Sequence, residues 1–189
     1  MINPDYKREA YQRPFDDMLI GKKSLLGVEV GVYKGQHAKE MLEKLDIERL
    51  MLVDPWEDYE AYTDKAIKEQ VGIALEDAKK LLKPFEKKIF WVKNFSVEAA
   101  KRVKDNSLDF VYIDGNHDYE YVKGDIESWF SKLKKGGLIG GHDYLSAFLG
   151  VQKAVDEFVK KFDYTLMTQF GEEASYYERT GSRDWWIIK

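Results

Sequence analysis

The chain has 189 residues, 44% hydrophobic and 34% charged, with 30 Lys and Arg against 34 Asp and Glu for a net charge of −4. That length suits one domain burying roughly 70% of its unfolded surface, and the charge balance excludes a global basic field for nucleic acid. The absence of Cys excludes disulfides, thiol nucleophiles and thiolate metal sites, while no apolar run approaches the ~20 residues of a membrane span and MINPDYKREAY is no signal peptide, so a cytoplasmic protein without a membrane partner is expected.

Residues 1–24 carry Tyr6, Tyr11 and Phe15 and read as a helical cap or lid ahead of a domain spanning 25–189. LLGVEVGV (25–32), ERLMLVD (48–54), KIFWVKN (88–94) and SLDFVYID (107–114) are dense in β-branched and aliphatic residues, as strands buried on both faces are. A fifth strand is expected at Leu138-Ile139, with Gly136-Gly137 ending the helix before it. Between the strands lie helical stripes: Ala38, Met41, Leu42, Leu45; then Ile67, Val71, Leu75, Ala78, ending near Pro84. Ser96 is expected to N-cap SVEAAKRV. The last two stripes are Val122, Ile126, Trp129, Phe130, Leu133 and Val151, Ala154, Val155, Phe158, Phe162. DYTLMTQ (163–169) and DWWIIK (184–189) are strand-like with only the polar loop FGEEASYYERTGSR between them, which predicts an antiparallel pair. The expected fold is therefore α/β and Rossmann-like: a doubly wound sheet of five parallel strands plus a C-terminal antiparallel pair. Ligands of such sheets bind beyond the carboxyl ends of the strands, which directs attention to Glu29–Gly35, Asp54–Trp56, Asn94–Ser96, Asp114–His117 and His142–Tyr144.

GNHD (115–118) has the letters of the metal motif of calcineurin-type phosphoesterases, and a second His-Asp pair stands in GGHDY (140–144). A two-metal phosphoesterase needs several histidines and carboxylates around metals ~3.5–4 Å apart. The chain has only His37, His117 and His142, lacks the upstream Asp-x-His, and offers GGHDY in place of Gly-His-x-His. The supply of ligands is too small for that chemistry.

In VEVGVYKGQHA the first strand turns into its helix through Glu29, Gly31 and Gly35. A dinucleotide fingerprint would be Gly-x-Gly-x-x-Gly, and here Tyr33 and Gln36 hold the second and third glycine places. Tyr33 obstructs the close approach of a pyrophosphate, and an acid before the first glycine repels one. Both suit a ligand with a cationic group and no phosphate, such as S-adenosylmethionine, whose carboxylate meets a positive helix N-terminus. Asp54 ends the second strand where an acid accepts ribose hydroxyls, Trp56 offers a flat face to adenosine, and Ser96 is able to meet the adenine edge. The bland alternatives are packing glycines, a turn-forming Asp-Pro, a core aromatic and a plain helix cap. His117, three residues past Asp114, is a candidate general base, or else a loop-ordering His. Asp118 reads as a helix N-cap, and Asp125 and Glu127 as exposed helix charges.

Together VEVGVYKGQHA, LVDPW, NFSVEAA, YIDGNHDYEYVKGDIESWFSKLKKGGLIGGHDY and GVQKAVDEF resemble class I S-adenosylmethionine-dependent methyltransferases, in particular the small bacterial branch called methyltransferase family 24, over about residues 25–162. The resemblance implies that Glu29, Gly31 and Tyr33 line the methionine end with Gly35 opening the helix, that Asp54 and Trp56 hold the ribose and adenosine, and that Asn94 and Ser96 lie at the adenine. It also implies Asp114 below the sulfonium. Metal-dependent O-methyltransferases of the class place a divalent metal, Mg, at positions that map to Asp114, His142 and Asp143, and the His here, where they have an Asp, shifts preference from Mg toward Mn, Zn or Fe, or implies no metal at all. Catalytic roles then fall to His117, Asp114 and His142. The expected function is S-adenosylmethionine-dependent O-methylation of a small-molecule hydroxyl, with no nucleic-acid partner and a homo-oligomer left open. An NAD-dependent oxidoreductase and a non-catalytic nucleoside-binding module are the alternatives.

Overall fold

The computed structural model describes residues 13–59, 70–145, 147–168 and 184–189. Tyr6, Tyr11, Ile67 and the loop expected over 170–183 lie outside the described residues. In chain order the elements are α1 (Pro14–Asp17), β1 (Leu25–Val30), α2 (Gln36–Lys44), β2 (Ile47–Asp54), α3 (Val71–Leu82), a 3-10 turn (Lys83–Lys88), β3 (Ile89–Lys93), α4 (Ser96–Ala100), β4 (Leu108–Ile113), α5 (Tyr119–Phe130), β5 (Leu133–Gly141), α6 (Leu149–Phe162), β6 (Met167–Thr168) and β7 (Trp185–Ile188).

Seven strands form one sheet in the order β3-β2-β1-β4-β5-β7-β6. The first five run parallel, and β7 is antiparallel to both β5 and β6. Alternation along the strands feeds two cores. Val111 and Ile113 of β4 face Val122, Ile126, Trp129, Val155 and Phe158 on α5 and α6. Phe110 and Tyr112 face the other way, toward Phe15, Ala38, Met41 and Leu82 on α1, α2 and α3. The strand order reverses between β1 and β4, which is where a doubly wound sheet opens a crevice at its carboxyl edge.

Two local expectations are corrected. Gly136 and Gly137 do not end a helix; they lie inside β5, which begins at Leu133. Gly136 has φ +79°, and between the pairs Leu108↔Leu133 and Phe110↔Leu138 the register slips, so the glycines take up a bulge. Their backbone is held by the chain end, with Gly136 N donating to Lys189 O at 2.7 Å and Lys189 N to Gly137 O at 2.9 Å. Ser96 is not an N-cap either. Phe95 occupies that position without a side-chain bond, and the Ser96 hydroxyl accepts a hydrogen bond from Trp129 Nε1 at 2.8 Å. Asp118 does stand at the N-cap of α5 with extended backbone, yet its carboxylate makes no capping bond. Its own N–H donates instead to Asn116 Oδ1 at 2.8 Å.

Candidate functional site

A cavity of about 800 Å³ opens at the carboxyl edge of β1, β2, β3 and β4. Its floor is the turn after β1. Gly31 adopts φ +82° and Gly35 φ +81°, conformations with little cost only for glycine. A Cβ on Gly31 would stand 2.1 Å from the Asp114 carbonyl oxygen, so this glycine lets the ends of β1 and β4 touch. Gly35 is the left-handed residue at the head of α2.

Asp54 is what fixes that turn. Its Oδ2 accepts the backbone N–H groups of Val32 and Tyr33 at 2.9 Å each, and its Oδ1 accepts Trp56 N at 2.7 Å. Burial pushes the carboxyl up, and the three backbone donors oppose that. Trp56 Nε1 in turn donates to Tyr33 O at 2.9 Å. The Trp56 ring lies tilted against Trp91 with centroids 5.7 Å apart, and the residue is only 4% exposed. Tyr33 and Trp56 both take positive φ, at 49° and 42°. Glu29, Tyr33, Asp54, Trp56, Asn94, Ser96 and Asp114 all line the cavity, with Asn94 Oδ1 accepting Phe95 N at 2.8 Å.

Glu29 is not simply open to a ligand. Its Oε1 lies 2.9 Å from His37 Nδ1, and His37 Nε2 lies 3.2 Å from Asp16 Oδ1. Burial works against charge on this imidazole, but the two carboxylates outweigh it and raise His37 to about 10. Glu29 Oε2 is buried with no hydrogen-bond partner among the described residues, an acceptor suited to a cationic donor in the cavity. Burial raises the Glu29 carboxyl as well, against the pull of His37.

Asp114 follows β4 and accepts Arg13 Nη2 at 3.2 Å, while Arg13 Nη1 lies 3.6 Å from the fully buried Asp184. Burial opposes the guanidinium charge, yet Tyr112, Asp114, Asp184 and Glu29 together raise its pKa above the ordinary value. Arg13 lies outside every motif of the sequence, and His37, within VEVGVYKGQHA, is given no role there. His37 does sit one turn before Met41 on the buried side of α2, a position that marks it as a core polar group.

The two His-Asp pairs meet across β4 and β5. His117 Nε2 lies 2.9 Å from Asp143 Oδ2, and His142 Nδ1 lies 3.1 Å from Asp143 Oδ1 and 3.9 Å from Asp114 Oδ1. Burial pushes the Asp143 carboxyl up, but both histidines pull it well below the usual range. Of these groups Asp114, His117 and Asp143 each offer a ligand atom within 4.8 Å of the other two. The cluster around Asp143 thus gathers all four expected acceptor-side residues, with His117 rather than His142 completing the tight trio.

One expectation about the cavity wall is corrected. Asp125 is no exposed helix charge: it is 4% exposed and lines the cavity from α5. Burial raises its carboxyl to about 7, with the Ser96 hydroxyl as the opposing hydrogen bond. A signal was present, because Asp125 stands three residues after Val122 and four before Trp129, inside the buried stripe.

The family model described as a methyltransferase domain, methyltransferase family 24, matches residues 28–144, well over half of the chain. The chain belongs to methyltransferase family 24. A Streptococcus mutans protein, SMU.1697c, named as a candidate methyltransferase and solved in complex with SAH, has the same fold at TM-score 0.66 and 16% identity, over 94% of this chain and 98% of that one. The O-methyltransferase NovP superposes at TM-score 0.62 and 15% identity, over 87% and 72% of the two chains. Spermidine synthase from Thermotoga maritima follows at 0.58 and 17%, over 93% and 58%. A 46-residue stretch is 39% identical to part of the uncharacterized protein y4gI of Sinorhizobium fredii, covering 24% of this chain and 5% of that protein. The chain spans a small fraction of that relative's length. Among the described residues no helix is long and apolar enough to cross a membrane. As a member of family 24 the chain carries a methyltransferase domain over residues 28–144, and the glycine turn and the acid-terminated β2 lie within it.

Proposed function

We propose that this domain binds S-adenosylmethionine along the edge from β3 to β4 and methylates a hydroxyl of a small molecule at the Asp114–His117–Asp143 cluster. The observation that carries the reading is one cavity that joins the glycine turn and Asp54 to that cluster. The residues fit the cofactor, since Glu29 Oε2 is a buried acceptor without a partner among the described residues and suits the ammonium group. Asp54 and the aromatic wall suit the nucleoside. Bound there, the cofactor would supply a sulfonium methyl group, to whose carbon an acceptor oxygen would bond in line as the C–S bond breaks and S-adenosylhomocysteine leaves.

The protein's own part is to place and deprotonate the acceptor. His117, oriented by Asp143 at 2.9 Å, takes the hydroxyl proton, and the carboxylate stabilises the imidazolium that forms. The same trio offers three ligand atoms to a divalent metal, which would lower the hydroxyl pKa; a His in the set favours Mn or Zn over Mg. The net charge of −4 speaks for a small acceptor rather than a nucleic acid.

Calorimetry with S-adenosylhomocysteine, S-adenosylmethionine and NAD tests the reading. Binding of S-adenosylhomocysteine that falls by at least about tenfold in Asp54→Ala, with the fold retained, supports it. Binding of NAD without S-adenosylhomocysteine overturns it in favour of an oxidoreductase. If a metal takes part, EDTA and Asp143→Ala lower turnover together, and Mn²⁺ restores only the wild type.

A further inference from the structure

Asp125 is a buried acid that the chemistry of methyl transfer does not use. It stands on α5, facing the end of the cavity farthest along the sheet from Asp143, where β3 runs into α4. Trp129 Nε1 donates to Ser96 Oγ at 2.8 Å, which leaves the Ser96 hydroxyl to donate to the Asp125 carboxyl. Around it stand three rings that also line the cavity. Tyr59 meets Phe95 edge-on at 5.2 Å and Tyr121 at 6.0 Å between centroids. An aromatic end of the cavity with one carboxyl set into its wall matches a heteroaromatic base.

We propose that Asp125 reads the base of the cofactor, its carboxyl meeting the exocyclic amino group of adenine and the ring nitrogen beside it. This rests on the S-adenosylmethionine reading above. The amino group is a donor and the adjoining nitrogen an acceptor, so the match needs one acceptor and one donor in the protein. A carboxylate supplies only acceptors, whereas a carboxylic acid supplies both. Burial favours the acid form, bringing the group to about 7. Its neighbours do not reverse that. The Ser96 hydroxyl faces it from α4, Tyr59 from the loop after β2, and Tyr121 from its own helix. Among the described residues no cation contributes to its shift.

The test measures the affinity of S-adenosylhomocysteine and of its analogue with an unsubstituted purine, which lacks the amino group. The wild type is expected to prefer the adenine compound by about tenfold, and Asp125→Ala to bind both alike. A preference that survives in Asp125→Ala, or an equal loss of both ligands, overturns the proposal, since a structural role would move both together. Asp125→Asn supplies an independent arm should the alanine variant fail to fold, because an amide offers both donor and acceptor at any pH. Between pH 6.5 and 8.5 the wild-type affinity for S-adenosylhomocysteine should weaken by more than about tenfold as the acid ionises, while Asp125→Asn stays flat. Parallel profiles in the two proteins overturn the proposal. Binding of neither compound by the wild type removes it together with the reading it rests on, whereas equal binding of both removes it alone.

Discussion

His37 bridges two buried carboxylates, Glu29 on β1 and Asp16 on α1. A lone buried imidazolium is costly, and here each ring nitrogen meets an acid, so the charged form wins and the group titrates near 10. Because the folded value lies above the unfolded value of about 6.5, the stability it contributes is fully present below that pH and is lost as pH rises toward 10. Urea unfolding between pH 7 and 9.5 should therefore show stability falling by at most about 1.4 kcal/mol per pH unit. His37→Gln should be less stable at pH 7 and should lack that slope. A wild type and variant with the same slope would show that the imidazolium is not what holds Asp16 to Glu29. Asp125 titrates lower, near 7, so its contribution is already complete through most of this window.

Elements were legible where periodicity is forced by burial on both sides. β1 and β4 are buried along nearly their whole length because helices cover both faces of the central sheet, and the stripe on α2 emerges with Ala38, Met41 and Leu42 buried. The cavity lining is legible for the same reason: strand ends are places, and Glu29, Asp54, Asn94 and Asp114 fall on them. What sequence pattern missed are groups whose role depends on a neighbour distant in the chain. Ser96 looked like a cap because helix starts favour serine, yet Trp129, 33 residues on, takes its hydroxyl. Glycine pairs commonly end helices, and Gly136-Gly137 instead bulge within β5 because Lys189 pairs with them. Asp125 was read by composition, as a charge on a helix, although its phase on α5 matched Val122 and Trp129. An acid in phase with a buried stripe is better read as a pocket group than as surface.

At the scale of the whole molecule, the order β3-β2-β1-β4-β5-β7-β6 sets β7 beside β5, and Asp184 at the head of β7 meets α1. Arg13 spans Asp114 and Asp184, Phe15 N donates to Asp184 Oδ2 at 3.3 Å, and Tyr112 Oη donates to Asp184 Oδ1 at 3.0 Å. The Phe15 ring packs edge-on against Tyr112 at 5.0 Å and Phe110 at 6.3 Å. It also fills the space beside Gly140, where an added Cβ would fall 2.5 Å from the ring. With Phe15 and Leu19 fully buried, residues 13–19 form part of the second core, and Arg13 lines the cavity. Phe15→Ala is accordingly expected to cost about 3–5 kcal/mol, the range for removing a fully buried aromatic ring. Deleting residues 1–24 should remove cooperative unfolding altogether, because it strips Phe15 and Leu19 from the core and leaves Asp184 buried without Arg13. Near-UV circular dichroism and thermal unfolding of the two variants decide the matter. A truncated chain that unfolds cooperatively and still binds S-adenosylhomocysteine would make the segment a separable cap, whereas loss of the transition makes it a structural layer of the domain.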